Sequence, residues 1–264
     1  MKIAVTGKGG VGKTTLSSVL SYLYAKEGKK VIAVDADPDA NLATALGFTD
    51  SEIQGMRPIA EMAELIAERT GAHPGAMGGV FKLNPKVDDI PEACSRTTAE
   101  GIRLLIMGKL REASTGCYCP ENVFLKRLLK HLVVERGDVV IVDMEAGIEH
   151  LTRGTAEGVD AFIVVVEPGK RSIQTALSVR DMAKGLGISQ VYVVAGKVRN
   201  EADIEFIQKH IEGMELIGSV RFTDEIANAD MQGTAVFKSA PSALKDIAAI
   251  KNVLDSKVSE AVKH

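Results

Sequence analysis

Gly7-Lys8-Gly9-Gly10-Val11-Gly12-Lys13-Thr14 follows the apolar run Ile3-Ala4-Val5 and leads into a helical pattern that ends near Gly28. A strand, a glycine-rich turn and a helix in that order make a phosphate-binding loop. The glycines let the backbone curl until successive N–H groups point at one spot, which the positive end of the helix dipole also faces. Lys13 reaches the β and γ phosphates, and the Thr14 hydroxyl is offered to Mg²⁺. Gly9, Gly10, Val11, Gly12 and Thr15 complete the cradle, so the motif predicts ATP or ADP with Mg²⁺ as bound cofactors. Lys8 is a second lysine that a cradle within one subunit does not require. It is either an exposed cation raising the local potential or a group with a separate role.

Working outward, short apolar runs recur at residues 3–6, 31–34, 139–142, 162–166, 191–195 and 216–220. Runs with little internal alternation, separated by helix-like segments, predict buried parallel strands. The clearest helices fall at 14–27, 171–186, 201–211 and 242–260. The expected fold is α/β: a doubly wound, mostly parallel sheet flanked by helices, gathering its ligands at the carboxyl ends of the strands. Between about residues 50 and 136 the pattern weakens. This stretch predicts a helix, one or two strands near 80–106 and a further helix, inserted into a single domain spanning 1–264.

Composition narrows the partners. The 264 residues carry a net charge of −3 with both signs interspersed, which gives no bulk attraction for nucleic acid. No apolar stretch approaches the roughly 18 residues of a membrane span. The first residues run straight into a core strand, so the chain reads as cytoplasmic. Three cysteines are too few for a disulfide framework, which turns attention to metal binding.

Acidic residues cluster where phosphate chemistry needs them. Asp35-Ala36-Asp37-Pro38-Asp39 follows the second strand, and Asp37 is the candidate for orienting or deprotonating the attacking water. Asp39 is equally suited to capping the next helix. Asp143 closes the strand at 139–142, where a carboxylate holds Mg²⁺ through water, and Gly147 leaves room for the chain to respond to the γ-phosphate. Glu145, Glu149 and His150 read as a solvated loop.

Cys117-Tyr118-Cys119 is the second informative feature, because residues two apart in an extended chain project to the same side. Pro120 and Glu121 look like the first turn of a helix with a buried face through Val123, Phe124, Leu128, Leu129 and Leu132. Cys119 at that helix N-terminus favours the thiolate that metals bind. Two thiolates leave Ni²⁺ or Zn²⁺ short of ligands, and a pair from each of two chains completes a four-sulfur set across a symmetry axis. The pair therefore predicts a homodimer; buried apolar cysteines or a redox pair are the alternatives. Cys94 stands alone and reads as structural.

The loop with Lys8 resembles the deviant Walker A of the MinD, ParA, arsenite-pump and nitrogenase iron-protein ATPases. Within that group the chain is similar to the CooC-type nickel-handling ATPases that mature carbon monoxide dehydrogenase. The narrower likeness rests on Asp35-Ala-Asp-Pro-Asp, Leu83-Asn-Pro-Lys-Val-Asp, Cys117-Tyr-Cys and the run from Asp143 to Thr155. The resemblance implies that Lys13 and Thr14 hold phosphate and Mg²⁺, that Lys8 reaches the partner subunit's nucleotide, that Asp37 handles water and that Asp143 serves a nucleotide switch. It also implies that Cys117 and Cys119 bind nickel, or zinc, at the dimer interface, with carbon monoxide dehydrogenase or acetyl-CoA synthase as client. One position departs: Gly196 precedes Lys197-Val198-Arg199-Asn200 where such proteins carry Asn, so an adenine contact is missing there. Lys197 and the backbone near Arg221 and Phe222 are the candidates to replace it. Two other functions fit such a loop: a ParA- or MinD-like nucleotide-switched positioning protein, and an iron–sulfur electron-transfer ATPase.

Overall fold

The computed structural model describes residues 1–74, 80–108, 119–135, 137–145, 158–188 and 190–261. Eight strands form one sheet: β1 (Lys2–Thr6), β2 (Val31–Ala36), β3 (Arg96–Thr97), β4 (Ile102–Ile106), β5 (Val139–Met144), β6 (Ala161–Val166), β7 (Val191–Val198) and β8 (Glu215–Arg221). Their spatial order is β3-β4-β2-β5-β1-β6-β7-β8, parallel throughout except for the two-residue antiparallel pairing of β3 with β4. All six strands expected from apolar runs are present.

The α-helices among the described residues are α1 (Lys13–Lys26), α2 (Leu42–Ala45), α3 (Asp50–Gln54), α4 (Ala63–Thr70), α5 (Ile90–Ala93), α6 (Pro120–Lys130), α7 (Lys170–Gly185), α8 (Glu201–His210), α9 (Asp224–Met231), α10 (Val236–Ser239) and α11 (Pro241–Ala261). Each central strand is buried on both faces, and alternate residues feed two separate cores. Ile3, Val5, Ala33 and Ile141 pack with α1 and α11, whereas Ala4, Val34, Val142 and Phe162 pack with α6, α7 and α8. Each fully buried Val, Ile or Leu contributes about 1.5–3 kcal/mol of transfer free energy.

The stretch from 50 to 136 supplies more short helices than the sequence pattern suggested. Its strand β4 lies inside the main sheet, hydrogen-bonded to β2 from Val31↔Ile102 to Asp35↔Ile106. The one or two strands expected near 80–106 are β3 and β4, and residues 80–83 belong to neither. Val80 and Leu83 face solvent there, and Pro85 two residues on removes a ladder donor. Helix α6 begins at Pro120 as expected and buries Phe124, Leu125, Leu128 and Leu129.

Helix α11 lies against α1. Ala243, Ile247, Ile250 and Leu254 are buried, and Lys251 bridges Glu27 at 2.6 Å and Asp255 at 2.8 Å while its ammonium sits 4.5 Å from the Tyr24 ring centre. The apolar face of α11 is thus used for packing on the sheet. No helix among the described residues is long and apolar enough to cross a membrane.

Candidate nucleotide site

Strand order reverses beside β1, which lies between β5 and β6, so the chain leaves β1 at a crevice on the carboxyl edge of the sheet. Residues 7–12 turn there, with Gly10 at φ +78° and Gly12 at φ +103°, and α1 starts at Lys13. Gly7 is packed so tightly that a Cβ would overlap the Val165 carbonyl oxygen. The start of the loop is consequently fixed against the end of β6.

One cavity of about 590 Å³ opens above the loop. It is lined by Gly9, Gly10, Val11, Gly12, Lys13, Thr14 and Thr15 at one end and by Lys197, Arg221 and Phe222 at the other, with Asp37 at its side. The ten residues named from sequence as the nucleotide cradle and base end thus line a single space, whereas Lys8 and Asp143 are not part of that lining. Helix α9 closes it with Ile226, Ala227 and Asp230, which sequence reasoning missed; the Thr223-Asp224-Glu225 start, with acids in the first turn, was the available signal.

Charges in the loop are already paired. The Lys13 ammonium lies 3.5 Å from Asp37 Oδ2 and 3.5 Å from the Lys8 carbonyl oxygen, and the Lys8 ammonium lies 3.6 Å from Glu167 Oε1. Asp37 in turn accepts the Asp39 N–H at 3.1 Å. Asp39 does not cap a helix: α2 starts at Leu42, and its N-cap position is Asn41.

Two carboxylates lie deeper. Asp35 and Asp143 are register partners on β2 and β5, both buried. Asp35 accepts the N–H of Asp37 at 3.2 Å through one oxygen and that of Leu42 at 3.0 Å through the other, which shapes the turn carrying Asp37. Burial, and next the charge of Asp143, push the Asp35 carboxyl up to about 7. Burial likewise pushes Asp143 up to about 6, against the lowering influence of the Thr14 hydroxyl and of Lys13. Asp143 Oδ1 accepts the Ser17 hydroxyl at 3.2 Å, and its Oδ2 is buried without a hydrogen-bond partner. An orphaned carboxylate oxygen beside the Thr14 hydroxyl has the donor chemistry of a Mg²⁺ site. Near it the Thr6 hydroxyl donates to the Glu145 carbonyl at 2.6 Å, tying the end of β1 to the exit of β5.

At the far end, Gly196 and Lys197 form an irregularity in β7, with Lys197 at φ +55°. A Cβ on Gly196 would overlap the Val11 carbonyl oxygen and lie 3.1 Å from Val165 Cγ1. The missing side chain is therefore a packing requirement of this loop as well as an absent contact. The proposed backbone replacements are engaged: Arg221 N–H donates to Asp246 and Phe222 N–H to the Val198 carbonyl. The Arg221 guanidinium also grips Asp246 through two bonds of 3.0 and 2.9 Å. The half-exposed Phe222 ring, with the Arg199 guanidinium 5.2 Å from its centre, lies at this end beside Lys197.

Cys119 is the N-cap residue of α6, extended at φ −100° and half-buried, with Pro120 at the first helical position. Cys117 lies outside the described residues, as do Gly147, Glu149 and His150. Among the described residues no group of three or more His, Cys, Asp or Glu is arranged to hold a metal. Cys94 is half-buried near Asp89, and burial raises its thiol pKa.

The CbiA family, described as the CobQ/CobB/MinD/ParA nucleotide binding domain, matches residues 2–236. The carbon monoxide dehydrogenase accessory protein CooC of Rhodospirillum rubrum is 45% identical over 242 residues, covering 92% of this chain and 91% of that protein. An uncharacterised ATP-binding protein of Methanocaldococcus jannaschii is 43% identical over 257 residues, 96% and 97% of the two chains. Among solved structures, the septum site-determining protein MinD of Pyrococcus horikoshii complexed with Mg-ADP superposes with a TM-score of 0.67 at 21% identity, covering 96% of each chain. The same fold, the phosphate loop and these relatives lead to one conclusion: the chain is a P-loop ATPase of the CobQ/CobB/MinD/ParA nucleotide-binding family, CooC-like in type.

Proposed function

We propose that this ATPase is a nickel metallochaperone, coupling MgATP binding and hydrolysis to dimerisation and to delivery of nickel to carbon monoxide dehydrogenase or the related acetyl-CoA synthase. The observation that carries the reading is Cys119 at the N-cap of α6, where the helix dipole favours a thiolate, two residues after Cys117. The 45% identity to a carbon monoxide dehydrogenase accessory protein supports the choice of client. In this reading the whole chain works as one ATPase unit, with the stretch from about 50 to 136 carrying the metal ligands.

The chain's own residues suggest how hydrolysis is gated. Lys13 and Asp37 neutralise one another at 3.5 Å. A triphosphate entering the loop draws the Lys13 ammonium away, and Asp37, held in its turn by Asp35, is released to orient the attacking water. Lys8 then reaches the partner subunit's phosphates. Thr14 and Asp143 would hold Mg²⁺, which would supply positive charge to offset that of the phosphates. Closing the two subunits on nucleotide brings their Cys117 and Cys119 pairs into one four-sulfur site, so nucleotide state and metal affinity are linked.

Anaerobic titration of Ni²⁺ and Zn²⁺ into wild type and a Cys117→Ser/Cys119→Ser variant, with mass measured in the apo, ADP and nonhydrolysable-ATP states, tests this. One metal per dimer, tightest with the ATP analogue and lost in the variant, is the expected result. Equal stoichiometry and affinity across nucleotide states, or full binding by the variant, refutes it.

A further inference from the structure

Lys8 is held by a group that no part of the nucleotide motif includes. Glu167 is the first residue after β6, and β6 is the direct neighbour of β1, with Thr6 opposite Val164 in register. Three contacts fix its backbone beside the loop: the sheet pairing itself, the close approach of Gly7 to the Val165 carbonyl, and the bond from its own N–H to the Ser172 hydroxyl at 3.1 Å. Pro168 follows and restricts the turn. Its carboxylate lies 3.6 Å from the Lys8 ammonium, with the two side chains 31% and 40% exposed. A lysine left free to reach another subunit has no such tether.

We propose that Glu167 is a positioning residue for Lys8: it holds the ammonium within its own subunit and so sets how readily two subunits close on nucleotide. The inference rests on the reading above in which Lys8 acts across the dimer. Closure must break the Lys8–Glu167 pair in both subunits. An exposed ion pair shifts an equilibrium by roughly 1.5- to 5-fold, and twofold symmetry squares that factor. Removing the carboxylate therefore tightens dimerisation by roughly 2- to 25-fold.

The experiment is sedimentation equilibrium with a nonhydrolysable ATP analogue on wild type, Glu167→Gln, Glu167→Ala, Lys8→Ala and Lys8→Ala/Glu167→Gln. Both Glu167 variants are expected to dimerise more tightly than wild type by that factor, less so at high salt. In the Lys8→Ala background the Glu167→Gln change is expected to do nothing, a non-additivity that a merely structural role does not produce. A Glu167→Gln dimer no tighter than wild type, or an equal gain in the absence of Lys8, overturns this inference while a nucleotide-dependent wild-type dimer weakened by Lys8→Ala leaves the underlying reading intact. A wild type that stays monomeric with the analogue overturns both.

Discussion

Replacing Gly196 by alanine probes the packing of the loop at a position that lines the cavity but contributes no side chain to it. The added Cβ sits roughly half an ångström inside the closest approach that real Cβ atoms make to a backbone oxygen, here that of Val11, and also presses on Val165. Neither obstacle swings aside, since one is a main-chain carbonyl and the other is a buried core residue. Overpacking of this kind costs about 1–3 kcal/mol. In the free protein the phosphate loop relaxes outward, and binding forces it back, so the strain emerges as lost affinity of up to roughly 5- to 150-fold at about 1.4 kcal/mol per decade. Asparagine at 196 should be at least as damaging and restore no base contact. Calorimetric titration of a nonhydrolysable ATP analogue, with thermal unfolding of both variants, is the assay. Affinity within twofold of wild type and an unchanged melting temperature would refute the packing argument.

Asp37→Asn removes both the proposed water-orienting carboxylate and the counter-ion of Lys13. Single-turnover hydrolysis should fall roughly 10²- to 10⁴-fold, while affinity for the ATP analogue holds or rises; a matched loss of both would contradict the gating scheme. The carboxyls of Asp35 and Asp143, raised from 3.8 to about 7 and about 6, make the folded protein bind more protons than the unfolded chain between those values. Their contribution is therefore most favourable at low pH and declines as pH rises toward 7. Urea unfolding of the nucleotide-free protein between pH 5 and 7.5 should show that decline, reduced in Asp35→Asn; identical slopes in the two proteins would remove the basis of the prediction.

The fold was legible because its strands are buried on both faces and so read as unbroken Val, Ile and Ala runs, and because Gly7 to Thr14 marks the point where β1 meets α1. Asp37 and the loop residues were legible for the same reason: their chemistry is bound to a local motif. What the sequence hid was long-range. Glu167 comes to Lys8 only through sheet order, Ser17 meets Asp143 across 126 residues of chain, and Gly196 reads as an absent contact until Val11 is seen against it. The short helices α2 to α5 carry too few turns for a period to register. Val80 and Phe81 are residue types that favour a strand, yet they lie in none and Val80 faces solvent.

The bond from the Thr6 hydroxyl to the Glu145 carbonyl has a mechanical meaning. It fastens the tip of the strand that feeds the phosphate cradle to the tip of the strand that carries Asp143, joining the two halves of the site by a direct bond. Whatever path the backbone takes beyond residue 145, it departs from a pinned point.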